Sequence, residues 1–109
     1  MRERLRGDEE HGAPHVIDVE VLNVIRRDRL LGRLEPLGAD QAIADLRDWP
    51  GERFGHRSLI DRAWDLRDRV RGWDAFYVAL AEALDAPLVT SDLRLGRVRG
   101  LRCAVEVIG

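Results

Sequence analysis

Apolar and polar positions along the chain alternate between helical and extended spacing. Phe76, Ala79, Leu80 and Ala83 lie three and four apart among strong helix formers, which predicts a helix over Ala75 to Leu84. Pro87 closes that helix, and Leu88-Val89-Thr90 reads as a short strand of the kind buried in a parallel sheet. Upstream, Ile17, Val21, Val24 and Ile25 predict a helix over Val16 to Leu31, weakened slightly by its β-branched residues. Gly32 to Gln41 reads as a turn region, and Ala39 to Asp48 as a helix with Ile43 and Leu46 inward, ended by Trp49-Pro50-Gly51.

Glu52 to His56 is a candidate strand around Phe54, and Ala13-Pro14-His15 a candidate strand end. Ser58 suits an N-cap for a helix to about Val70, with Leu59, Ala63, Leu66 and Val70 on one side. On that helix Asp61, Asp65, Arg69 and Arg57 read as a solvated, salt-bridged face. Leu93 to Val98 makes at most a short helix. Leu101 to Ile108 alternates, as an edge strand with one wet face does. The charged stretch Met1 to Gly12 reads as the tail of a helix running into a loop. Strands alternating with helices specify an α/β fold with mainly parallel pairing.

The 109 residues make one domain, 1–109, with 45% hydrophobic and 35% charged residues, a mixture of globular chains. No apolar run approaches the roughly 20 residues of a membrane span and the polar start is no secretory signal, so a cytoplasmic location is expected. Cys103 is the only cysteine, which excludes an internal disulfide and leaves it a packing role. All 18 basic residues are arginine, so chemistry that requires a lysine amine, including that of phosphoacceptor receiver domains, is disfavoured. A net charge of -2 argues against a generic polyanion binder and leaves local arginine clusters as the route to phosphate: Arg26, Arg27 and Arg29, or Arg94, Arg97 and Arg99.

Three acids stand out. Glu20 has Val16, Ile17, Asn23 and Val24 as helical neighbours, an apolar setting in which a carboxylate needs a pair or a metal. The alternative is that it sits at the edge of the stripe and pairs with Arg27 or another arginine. Asp74 opens its helix, and Asp92 leaves the Leu88–Thr90 strand at its carboxyl end, where open α/β sheets gather ligands. Each can also be a cap. Three carboxylates meeting in one crevice repel one another unless hard cations such as Mg²⁺ or Mn²⁺ lie between them, an arrangement suited to phosphodiester hydrolysis. His11, His15 and His56 lack metal-ligand spacing, and no glycine-rich phosphate loop occurs.

Nearly the whole chain from Gly12 onward resembles the PIN-domain ribonucleases, specifically the VapC toxins of bacterial toxin-antitoxin pairs. Three segments carry the likeness: Asp18-Val-Glu-Val-Leu-Asn-Val-Ile-Arg-Arg27, Trp73-Asp-Ala-Phe-Tyr-Val-Ala-Leu-Ala-Glu-Ala-Leu84 and Pro87-Leu-Val-Thr-Ser-Asp-Leu-Arg-Leu95. The resemblance implies a three-layer α/β/α fold, with Glu20, Asp74 and Asp92 as acidic metal-site residues and Asn23 and Thr90 as supports behind them. It also implies Mg²⁺, RNA cleavage, a VapB-like antitoxin and a homodimer, and Trp49 and Trp64 are candidate exposed apolar contacts for the antitoxin. The family's first strand, ending in an aspartate, has no counterpart before Met1. The expectation is therefore an N-terminally truncated domain with its central strand missing, impaired as an enzyme. The alternative is a non-catalytic relic that keeps only antitoxin or self-association surfaces.

Overall fold

In the computed structural model, which describes residues 3–7 and 10–109, the polar opening stretch is extended. Strand β1 (Glu3–Gly7) pairs with β2 (Glu10–Pro14) through Leu5↔Gly12 and with β4 (Leu88–Thr90) through Arg4↔Val89, antiparallel to both. This corrects the reading of Met1 to Gly12 as a helix tail and loop, of which Met1, Arg2, Asp8 and Glu9 lie outside the described residues. Strand β1 lies between β2 and β4, and its ladder gives backbone partners to both neighbours. With Leu5 as its only large apolar residue, the segment gives a hydrophobic-pattern reading nothing to follow.

Parallel pairing appears on both flanks. Strand β3 (Glu52–Phe54) joins β2 and β5 (Val105–Val107) joins β4, giving a five-stranded sheet in the order β3-β2-β1-β4-β5. The predicted edge strand is thus at an edge, though only Val105–Val107 is laddered. Gly12 is held close to its neighbour: a Cβ there would lie 2.8 Å from the Phe54 ring.

The chain divides into two compact units, Val16–Pro50 and the remainder. The first is a helical hairpin of α1 (Val16–Leu30) and α2 (Pro36–Arg47), packed on each other. Gly32, at φ +74°, ends α1 in the left-handed conformation glycine adopts without strain, and the Arg33 N–H donates back to the Asp28 carbonyl. Helix α2 begins three residues earlier than Ala39 because Pro36, lacking an N–H, suits the first helical turn.

In the sheet unit, α3 (Ile60–Asp65) follows a 3-10 turn over Arg57–Leu59. Periodicity predicts a helix from a Ser58 cap to Val70; instead α3 stops at Asp65, and Leu66 and Val70 are buried from a turn. Helix α4 (Asp74–Ala83) supplies the core. Its Ala75, Tyr77, Val78, Ala79, Leu80 and Ala81 are all buried, and it packs over β2, β1 and β4. Asp85, at φ +52°, and the Ala86 N–H bond to the Ala81 carbonyl end α4 before Pro87. Leu88, Val89 and Thr90 are all buried, as the apolar run predicts.

Two polar clamps tie the C-terminal loop to α3 and α4 and to the turn between them. Arg62 donates from Nε and Nη2 to Glu82 at 2.6 and 3.1 Å, and Glu82 also accepts the Arg102 N–H at 2.7 Å. Burial alone would raise the Glu82 pKa, but the Arg62 and Arg102 hydrogen bonds outweigh it and hold the carboxyl below its ordinary value. Arg69 Nη1 donates to the Arg99 carbonyl at 2.9 Å. Burial and the neighbouring Glu82 charge push the half-buried Cys103 thiol up, which fits a packing residue and not a nucleophile. Among the described residues, no helix is long and apolar enough to cross a membrane.

Candidate active site

Asp74 and Asp92 reach the same crevice by different routes. Asp74 is the first residue of α4, after the positive-φ turn at Gly72 (φ +56°), and Trp73, not Asp74, holds the cap position. Asp74 therefore stands inside the first helical turn and not at the N-cap position the sequence offered for it. Asp92 stands two residues beyond β4, where its N–H donates to the Oγ1 of fully buried Thr90 at 3.0 Å. Its carboxylate in turn accepts the Arg94 N–H at 2.9 Å, capping the turn that leads into the short 3-10 segment Leu95–Arg97. Asp92 thus closes an Asx turn ahead of that segment, whose N-cap position is held by Arg94 and not by Asp92 as expected, and the turn does not exclude a second role.

The crevice has a volume of about 130 Å³ and is lined by Asp74, Asp92, Arg69, Arg71, Arg94 and an apolar floor of Val70, Leu95 and Val98. Two carboxylates and three guanidiniums thus share one small cleft. Arg94 grips Asp92 through Nε and Nη2 at 3.2 and 3.1 Å, with the Asp92 side chain only 10% exposed. That hydrogen bond and the Asp92 charge, with a further contribution from Asp74, raise the Arg94 pKa above its ordinary value.

Glu20 lies half-buried on α1 in the helical unit. Its neighbours Val16 and Ile17 are half-buried and buried, but Asn23 and Val24 are exposed, so its setting is less apolar than helical spacing suggests. Among the described residues no group of three or more His, Cys, Asp or Glu side chains is placed to hold a metal ion. A two-carboxylate site still suits Mg²⁺, which keeps several waters and binds through one or two carboxylates together with substrate phosphate oxygens. The hard oxygens of Asp74 and Asp92 fit that donor set; Arg94 would have to release Asp92.

Other candidates separate clearly. Thr90 supports Asp92 through its hydroxyl, whereas Asn23 is exposed on α1. The His15 and His56 rings lie 6.1 Å apart, and the His56 ring packs tilted against that of Phe76 at 4.9 Å, a packing arrangement. Trp64 is 65% exposed and Trp49 half-buried. Arg69 and Arg71 were not singled out as site residues by the sequence; their position just before a glycine turn and Asp74 was the available signal.

The PIN-domain model matches residues 1–101. The chain belongs to the PIN-domain family, as a VapC-type member. It is 40% identical over 97 residues to ribonuclease VapC1 of Mycobacterium tuberculosis, spanning 88% of this chain and 73% of that protein. Ribonuclease VapC9 of the same organism is 37% identical over 98 residues, covering 87% and 75%. Ribonuclease VapC12 is 32% identical over 105 residues, covering 96% and 81%. The α/β fold inferred from the alternating pattern is that of this family. The acids at the start of α4 and after β4 fall within the matched residues of this PIN domain.

Proposed function

We propose that this VapC-type PIN domain is the toxin of a toxin-antitoxin pair, an endoribonuclease that cuts RNA phosphodiester bonds with Mg²⁺, or Mn²⁺ in its place. The observation that carries this reading is the meeting of Asp74 and Asp92 in one arginine-lined crevice of a chain similar to named ribonucleases. Asp74 and Asp92 are the proposed metal-holding carboxylates, with Glu20 as the third acid. When bound, the ion supplies charge neutralisation at the phosphate and a more acidic water. Thr90 fixes the backbone of Asp92, and Arg69, Arg71 and Arg94 attract the RNA backbone and orient the phosphate.

A VapB-like antitoxin is the proposed protein partner, and a homodimer the proposed assembly. Exposed Val19, Leu22 and Leu37 on the helical unit offer apolar contact area for either. Co-expression with an adjacent small gene should yield a co-purifying complex that no longer arrests growth; an adjacent product that neither binds nor neutralises would remove the antitoxin from this account. RNA as substrate goes with a cytoplasmic location.

One observation favours a second reading. Arg94 already neutralises Asp92, as expected of a relic whose acids serve only the fold. Incubating single-stranded RNA with the purified chain in Mg²⁺ and in excess chelator separates the two. Cleavage only with Mg²⁺ supports the nuclease; intact RNA in both favours the relic.

A further inference from the structure

The geometry points to a nucleobase-stacking subsite for single-stranded RNA at Trp64, adjoining the acidic crevice. This inference rests on the proposed ribonuclease reading and extends it from the scissile phosphate to a neighbouring nucleotide. A groove of about 330 Å³ runs between α3 and α4, with Ile60, Trp64 and Phe76 as its large apolar side chains and Arg67 and Arg71 as its charged ones. Its volume falls within the roughly 300–1,000 Å³ typical of small-molecule sites. Its lining contains no carboxylate.

Three features select RNA as the occupant. The first is continuity: Val70 and Arg71 line both this groove and the crevice of Asp74 and Asp92, so a strand whose phosphate lies at the acids has a direct path into the groove. The second is the indole itself. Trp64 is 65% exposed although it belongs to a helix with buried Ala63, and the Arg67 guanidinium lies 4.4 Å from its ring centre, held there by a bond to the Trp64 carbonyl at 3.0 Å. An aromatic ring paired with an arginine offers the flat π surface and the cation that sequence-tolerant single-strand binders use to stack bases and hold phosphates. The third is charge, because a groove with two arginines and no acid complements a polyanion.

The test uses a 12-nucleotide single-stranded RNA of mixed sequence, fully 2′-O-methylated so that binding is read without cleavage, in buffer containing chelator. Fluorescence anisotropy is measured for the wild-type chain, Trp64→Ala, Trp64→Phe and the double variant Arg67→Gln/Arg71→Gln. Stacking predicts about a tenfold weaker Kd for Trp64→Ala and partial rescue by Trp64→Phe. The arginine variant should show a salt dependence shallower by about two phosphate contacts. Thermal melts confirm that each variant is folded. Equal affinity of wild type and Trp64→Ala overturns the subsite, as does absence of binding by the wild type. So does loss of a co-expressed protein partner by Trp64→Ala with RNA affinity intact, which assigns the groove to a protein. Cleavage of an unmodified RNA is measured in parallel: Trp64-dependent binding without any cleavage retains the subsite and removes the nuclease reading. Cleavage with Trp64-independent binding does the reverse.

Discussion

Arg94 and Asp92 form a two-pronged ion pair across two residues, Nε and Nη2 to the two carboxylate oxygens at 3.2 and 3.1 Å, at the mouth of the acidic crevice. The guanidinium stands where its charge offsets that of Asp92 and, more weakly, Asp74. A divalent cation at these carboxylates therefore competes with an internal cation. Arg94→Gln should strengthen Mg²⁺ binding about two- to fivefold, a small gain because the guanidinium is largely in water. Isothermal titration of the two proteins with MgCl₂ checks this, and weaker binding by the variant would assign Arg94 a supporting role at the metal site.

Thr90 is fully buried and its hydroxyl accepts the Asp92 N–H. Thr90→Val keeps the shape and β propensity but leaves that N–H without its acceptor, at a cost of about 1–3 kcal/mol. Thr90→Ser should restore most of the loss. Urea unfolding of the three proteins measures the difference, and equal midpoints for wild type and Thr90→Val would show that the bond contributes nothing.

Glu82 anchors α4 to Arg62 and to the Arg102 backbone with its side chain 7% exposed. Glu82→Gln should destabilise the fold at pH 7 by roughly 2–4 kcal/mol, since it leaves the Arg62 charge without its counter-ion. Because the folded-state pKa of Glu82 is depressed, its contribution is complete above the ordinary carboxylate pKa and is lost as pH falls through the depressed value. The stability gap between wild type and Glu82→Gln should therefore close in that acid range. A gap independent of pH would contradict the ionic account.

The parts of this fold that were readable in the sequence are those where burial imposes a period. Helix α4 and strand β4 are nearly all apolar because both are buried, and their limits are marked by Asp74 and Pro87. Strand β1 escaped because Glu-Arg-Leu-Arg-Gly carries no apolar stripe, and pairing on both sides places it where side-chain pattern alone does not. Helix α3 fell short of Val70 because Leu66 and Val70 stay buried in a turn, with the same spacing a helix would give. At the site, Asp74 and Asp92 were recognisable from their element ends, but the Asp92–Arg94 pair is local turn geometry that no periodicity reveals. That Arg69 and Arg71 line the crevice beside Asp74, with the positive-φ Gly72 between, is tertiary placement that no periodicity shows.

Comparing Asp74→Asn with wild type tests the proposed chemistry most directly, because the substitution removes one charge while preserving size. With matched thermal melts, Mg²⁺-dependent cleavage of single-stranded RNA is measured for both proteins. Asp74→Asn should lose about 100-fold or more of the cleavage rate, the scale of removing a principal electrostatic group from a hydrolytic site. A folded Asp74→Asn protein that cleaves RNA at the wild-type rate would contradict the proposed chemistry.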